Sequence, residues 1–109
     1  MKNFFIDHNS LTTKAIKKIN RLGGLSLIVV KNRNIIKGIL SSYDLRKAII
    51  NKNILNKNIS KIYNRTPKFI YLDQLQEKIS EVQSKVKRLG MIPIIDRQTH
   101  KVIKIFNSS

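Results

Sequence analysis

The sequence has no cysteine, which excludes disulfides, zinc ribbons and thiol chemistry. It has no tryptophan and only two histidines, His8 and His100, too few for a histidine-rich metal site. Acidic residues are scarce, six against 22 Lys and Arg, which leaves a net charge of +16 on 109 residues. They fall at positions 7, 44, 73, 77, 81 and 96, and only Glu77 and Glu81 share a helical face. No paired-carboxylate, Ser/His/Asp or metal constellation assembles from them, which argues against catalysis in this chain. Long apolar runs are missing too. The longest, Leu25 to Val30, is broken by Ser26, whereas a membrane span needs about 20 residues. Phe4-Phe5-Ile6 is too short for the core of a signal peptide. The expectation is a cytoplasmic, non-membrane chain of one small domain.

The basic charge first suggests nucleic acid. Its make-up reads against that partner. Arginine is outnumbered six to sixteen by lysine, although arginine forks suit bases and phosphates best. No strand interleaves aromatic and basic residues as a single-strand-binding sheet does. A solvated lysine surface explains the charge, and a basic nucleic-acid-binding domain is kept as an alternative.

The chain carries one pattern twice. Leu11, Ala15, Ile16, Ile19 and Leu22 recur at helical spacing before Gly23-Gly24. Leu25–Val30 reads as a strand buried on both faces, Lys31–Asn34 as a turn, and Ile35–Leu40 as its hairpin partner. Ser41-Ser42-Tyr43-Asp44 opens a helix that runs to about Asn51. In the second half Leu72, Leu75, Ile79, Val82, Val86 and Leu89 predict an amphipathic helix ended by Gly90. The strand Ile92–Ile95, the turn Asp96–His100 and the strand Val102–Phe106 follow. Short strands, Phe4–Ile6 and Lys68–Tyr71, precede the two units. Residues 53–67 read as a polar linker with one short helical stretch, Ile59 to Tyr63. Such an internal duplication governs the fold.

With these residues in view the chain resembles a tandem pair of cystathionine-β-synthase (CBS) domains. Gly38-Ile39-Leu40-Ser41-Ser42-Tyr43-Asp44-Leu45-Arg46 matches that family's Gly-apolar-apolar-Thr/Ser-x-x-Asp-Leu-Arg signature, and Ile92-Pro93-Ile94-Ile95-Asp96 its apolar-Pro-apolar-apolar-Asp strand and turn. The hairpin before the signature and the linker Ile59–Ile70 resemble the family's as well. The implied fold class is α+β: two β-α-β-β(-α) repeats about a pseudo-twofold axis, with the second repeat truncated. The implied divisions are 1–52 (first motif), 53–67 (linker) and 68–109 (second motif, incomplete). At an offset of 66, Gly38 maps to Lys104 and Ser41 to Asn107, and the counterpart of Asp44 falls one position past Ser109. The second motif therefore lacks the signature, either because it continues in a longer chain or because it is degenerate.

Ser41-x-x-Asp44 has two readings. One is a helix cap, with Asp44 at the positive end of the dipole. The other, implied by the resemblance, is a site for AMP, ADP or ATP, in which the helix N-terminus meets phosphate and an ionised Asp accepts from ribose hydroxyls. In that reading Gly38 permits close backbone approach, Thr66 at the end of the linker and Met91, Ile92 and Pro93 of the second motif close the cleft, and Arg46 reaches phosphate. Each has a plainer alternative as a bulge, core or solvated charge. The resemblance implies a regulatory, non-enzymatic module that needs no cofactor. On the same resemblance it is expected to form a homodimer and to act on an attached or partner catalytic domain, as in the similar N-terminal segment of bacterial sugar-phosphate nucleotidyltransferases. A dimerisation module with no ligand is the other alternative.

Overall fold

The computed structural model describes residues 2–24, 26–50 and 56–107. The expected strand start at Leu25, the helix end at Asn51 and the linker start at 53 lie outside the described residues.

Four apolar residues in succession, Leu27 to Val30, decide the layering. They form the centre of strand β2 (Leu27–Lys31), flanked by β1 (Phe5–Asp7), parallel to it, and β3 (Ile35–Leu40), antiparallel. Because side chains alternate along a strand, Leu27 and Val29 face the helices α1 (Thr12–Arg21) and α2 (Ser42–Ile50), while Ile28 and Val30 face the other half of the molecule. The second half repeats this. Strand β5 (Met91–Ile95) lies between β4 (Ile70–Tyr71), parallel, and β6 (Val102–Asn107), antiparallel. Ile92 and Ile94 face helix α3 (Ile79–Leu89), and Met91 and Ile95 face the first sheet. The two mixed sheets thus pack face to face with helices outside, the α+β architecture expected. Each fully buried Ile or Val in this stack contributes about 1.5–3 kcal/mol.

Register confirms the offset of 66. A bulge breaks the β2/β3 ladder between Val29 and Val30, and another breaks β5/β6 between Ile94 and Ile95. Flanking those bulges, Gly38 pairs with Val29 and Lys104 with Ile94, so Gly38 and Lys104 are structural counterparts. Gly23 (φ +74) and Gly90 (φ +89) end α1 and α3 in the left-handed conformation that a Cβ resists.

One expectation needs correction. The apolar stripe from Leu72 to Leu89 is not a single α-helix. Leu72–Gln74 form a 3-10 turn, and α3 begins only at Ile79. Asp73 is drawn to Arg97, which donates from Nε (2.7 Å) and Nη2 (2.9 Å) to its two carboxylate oxygens. Lys78, at the N-cap position, gives no side-chain cap. Residues 58–64, for their part, lie along the first unit. Ile59 and Tyr63 are buried with α1, α2 and β2, and Ile62 packs against them.

Candidate functional site

Strand β3 delivers the chain from buried Leu40 straight into α2, and Ser41 is the joint. Ser41 Oγ accepts from the Asp44 amide at 3.1 Å and donates to Asp44 Oδ2 at 2.9 Å. The Ser41 amide donates to that same oxygen at 3.0 Å. The pair is a reciprocal capping box that satisfies orphan amides at the helix start. Asp44 Oδ1 has no hydrogen bond among the described residues. Ser42 Oγ donates to the Gly24 carbonyl and ties the start of α2 to the turn after α1.

Beside Ser41 a cleft of about 180 Å³ opens between the two units. Ser26, Ile39, Ser41 and Asn64 line it from one side and Pro67, Lys68, Leu89 and Met91 from the other. It combines an apolar floor, three neutral polar side chains and one ammonium group, a set suited to an uncharged ring system carrying an anion. Its volume is below the roughly 300–1,000 Å³ usual for small-molecule pockets, so a nucleotide must widen it.

The structure gathers some of the anticipated residues and disperses others. Ser41 and Met91 meet in the cleft, with Asp44 one hydrogen bond behind Ser41. Thr66 is exposed, and its amide and hydroxyl both donate to Asn64 Oδ1, at 2.9 and 3.0 Å. Arg46 lines a different groove, between α1 and α2. Ile92 is buried against α3, and Pro93 is fully buried in β5 opposite Ile105. Gly38 lies under the chain's own backbone: a Cβ there would stand 2.2 Å from the Asn64 carbonyl oxygen and 2.5 Å from Tyr63 Cδ1. Asn64 pairs with Ile39 through two backbone hydrogen bonds, of 3.0 and 2.8 Å. Ser26 and Asn64 had no individual signal in the sequence, and Leu89 belongs to the amphipathic stripe without pointing to a site. The close approach that Gly38 permits is the one clue that could have pointed to a segment such as 63–64.

Among the described residues no group of three or more His, Cys, Asp or Glu is placed to hold a metal, and no helix is long and apolar enough to cross a membrane.

No protein-family model matches the sequence, and no curated protein matches it. Solved structures do match. The CBS-domain pair of protein MJ0100, in complex with 5'-methylthioadenosine and S-adenosyl-L-methionine, superposes with a TM-score of 0.71 at 21% identity, over 95% of this chain and 83% of that one. A CBS-domain protein from Streptococcus pneumoniae gives 0.76 at 13% identity, over 94% and 68%. The cytosolic domain of the Mg2+ channel MgtE, in complex with ATP, gives 0.71 at 17% identity, over 94% and 41%. The fold is therefore that of a CBS-domain pair.

Proposed function

We propose that this chain is a regulatory module that binds an adenine nucleotide, AMP, ADP or ATP, in the cleft beside Ser41. The observation that carries the reading is the meeting of Ser41, Lys68 and Met91 at the start of α2, in a fold whose solved examples hold ATP and adenosine derivatives. In this reading Met91 and Ile39 take the adenine face and Lys68 takes phosphate. Ser41 and the idle oxygen of Asp44 take the ribose. Widening the cleft to seat the ligand shifts the two units, and the regulatory energy is the difference in affinity between the two arrangements. The reading extends to divisions at 1–52, 53–67 and 68–109, a cytoplasmic homodimer, and control of an attached or partner catalytic domain. The sequence resemblance suggests a sugar-phosphate nucleotidyltransferase for that domain.

Titration calorimetry with AMP, ADP and ATP tests this reading. Saturable binding is expected, and Lys68→Ala should weaken it by about 1.5–3 kcal/mol. Absence of saturation at millimolar nucleotide sinks the proposal and favours a purely structural dimerisation module. The closed Ser41–Asp44 box is the observation on that side. Steeply salt-dependent binding of a DNA duplex would favour the nucleic-acid alternative.

A further inference from the structure

Thr66 is exposed and does not line the cleft, yet it stands where the chain passes from one wall to the other. Asn64 belongs to the first wall, Pro67 and Lys68 to the second, and Arg65 and Thr66 span the gap. The first unit grips this crossing step by step. Tyr63 is buried in its core, and Asn64 is paired through its backbone with Ile39. Arg65 turns back over the Tyr63 ring, 4.5 Å from the centroid. Its Nη1 donates to the Tyr63 hydroxyl at 2.7 Å and its Nη2 to the Ser60 carbonyl. Thr66 is tied to the same wall through its amide and its hydroxyl, both on Asn64 Oδ1. Pro67 follows, with a fixed φ and no amide to donate, and it keeps Thr66 out of helical backbone. The grip of the first wall is thus followed at once by a stiff step onto the second.

Those two bonds limit how far the walls part. The cleft holds about 180 Å³, and small-molecule pockets usually hold roughly 300–1,000 Å³. A nucleotide is seated only after the walls separate. Five residues back along β3 from Ser41 the units are joined by backbone, where the Ile36 amide donates to the His100 carbonyl at 2.9 Å. Opening the cleft about that joint draws Pro67 and Lys68 away from Asn64. The bonds from Thr66 to Asn64 lie across that movement.

We propose that Thr66 is a positioning residue whose bonds to Asn64 latch the cleft in its narrow form and so hold down its affinity for nucleotide. The inference rests on the adenine-nucleotide reading above. A ligand that needs the open form binds in proportion to the fraction of chains that are open. Breaking the latch raises that fraction. The sign separates a latch from ordinary support: losing a supporting contact weakens binding, whereas losing a latch strengthens it.

The test uses the full chain. Thr66→Ala and Thr66→Val remove the hydroxyl bond, and Thr66→Ser keeps it. Titration calorimetry with AMP and with ATP should show the alanine and valine variants binding about threefold more tightly than wild type, and the serine variant binding like wild type. Circular dichroism checks that each is folded. The chain has no cysteine, so Lys47→Cys and Lys87→Cys, exposed on α2 and α3, accept a unique pair of spin labels. Without nucleotide, the label separation should be longer or broader in the Thr66→Ala background. Equal or weaker nucleotide binding by folded Thr66→Ala and Thr66→Val overturns the proposal. If neither nucleotide saturates the wild type, the adenine-nucleotide reading fails and the label separations decide. A wider separation in Thr66→Ala then upholds the latch, and an unchanged one overturns it as well.

Discussion

Ile35 and Lys101 face each other as an antiparallel bridge between the two units, and they are each other's counterpart in the repeat. The hydrogen bonds around them are symmetric: Ile36 N–H donates to the His100 carbonyl at 2.9 Å, and Val102 N–H to the Asn34 carbonyl at 3.0 Å. Asn34 and His100 both adopt left-handed backbone, φ +67 and +59. The pseudo-twofold axis therefore runs through this bridge, where backbone joins the two units directly.

Proline at either donor removes one of those bonds. Ile36→Pro and Val102→Pro should each cost about 1–3 kcal/mol, the range for an unpaired carbonyl at a partly buried site. Urea denaturation should give similar losses for the two. A loss several-fold greater at one site contradicts their equivalence.

Gly38→Ala places a methyl group 2.2 Å from the Asn64 oxygen. The backbone must part there, at a cost of about 2–3 kcal/mol. Faster hydrogen exchange at the Ile39 and Asn64 amides should accompany the loss. An alanine variant with wild-type exchange at both amides would contradict the close approach.

Ser41 and Asp44 act as one cap, so their deletions should not add. Each change to alanine is expected to cost about 0.5–2 kcal/mol. The double variant should fall short of the sum by about 0.5–1 kcal/mol. Additive losses in thermal melts would show two independent contacts.

Three surface carboxyls make the molecule acid-sensitive. The Arg97 hydrogen bond holds Asp73 below its ordinary 3.8, the Thr99 amide and then its hydroxyl do the same for Asp96, and Lys85 lowers Glu81 from 4.5. A depressed folded-state value means that the folded chain binds the proton less tightly than the unfolded one. The stabilisation is complete above the ordinary carboxylate range and is lost as pH falls below it, through the depressed folded-state values. Tm should be level between about pH 5 and 7 and drop below about pH 4. Arg97→Gln should shrink that drop, and an unchanged profile would remove Asp73 from the account.

Lys14 and Arg21 both repel Lys18. Lys14→Glu exchanges one of these repulsions for an i,i+4 attraction and should add a few tenths of a kcal/mol, about 0.2–0.5. The gain should fade in high salt as screening sets in. A gain that persists in molar salt would point to another cause.

Much of the fold was legible because it rests on uninterrupted patterns. Leu27–Val30 is apolar on both faces, as a central strand is, Ile92–Ile95 is an apolar run of strand length, and Arg-Leu-Gly ends both α1 and α3. The stripe from Leu72 to Leu89 misled for a physical reason. A 3-10 turn also brings i and i+3 together, so spacing cannot separate it from the helix that follows. Ile59, Ile62 and Tyr63 were obscured by the Asn and Lys around them, although they pack on the first unit's core. At the cleft, Ser41 and Asp44 could be recognised from local capping chemistry. Arg46 could not be placed, since one helical position decides which of two grooves it lines. Asn64 and Leu89 are brought there by chain reversals that no short pattern encodes.

The difference between Gly38 and Lys104 bears on how the molecule stays dispersed. Strand β3 forms one edge of its sheet, and the chain covers that edge itself, at Ile39 with Asn64 and at Ile35 with Lys101. Strand β6 is the corresponding edge of the other sheet, and Lys104 stands midway along it, exposed. Among the described residues no segment pairs with that edge at Lys104, and a bulky ammonium-bearing side chain there discourages a foreign strand from seating. The same repeat position thus serves two purposes: bare backbone admits the chain's own segment on one side, and a charged side chain turns away everyone else's on the other. Trading Lys104 for glycine would remove that guard and invite edge-to-edge aggregation.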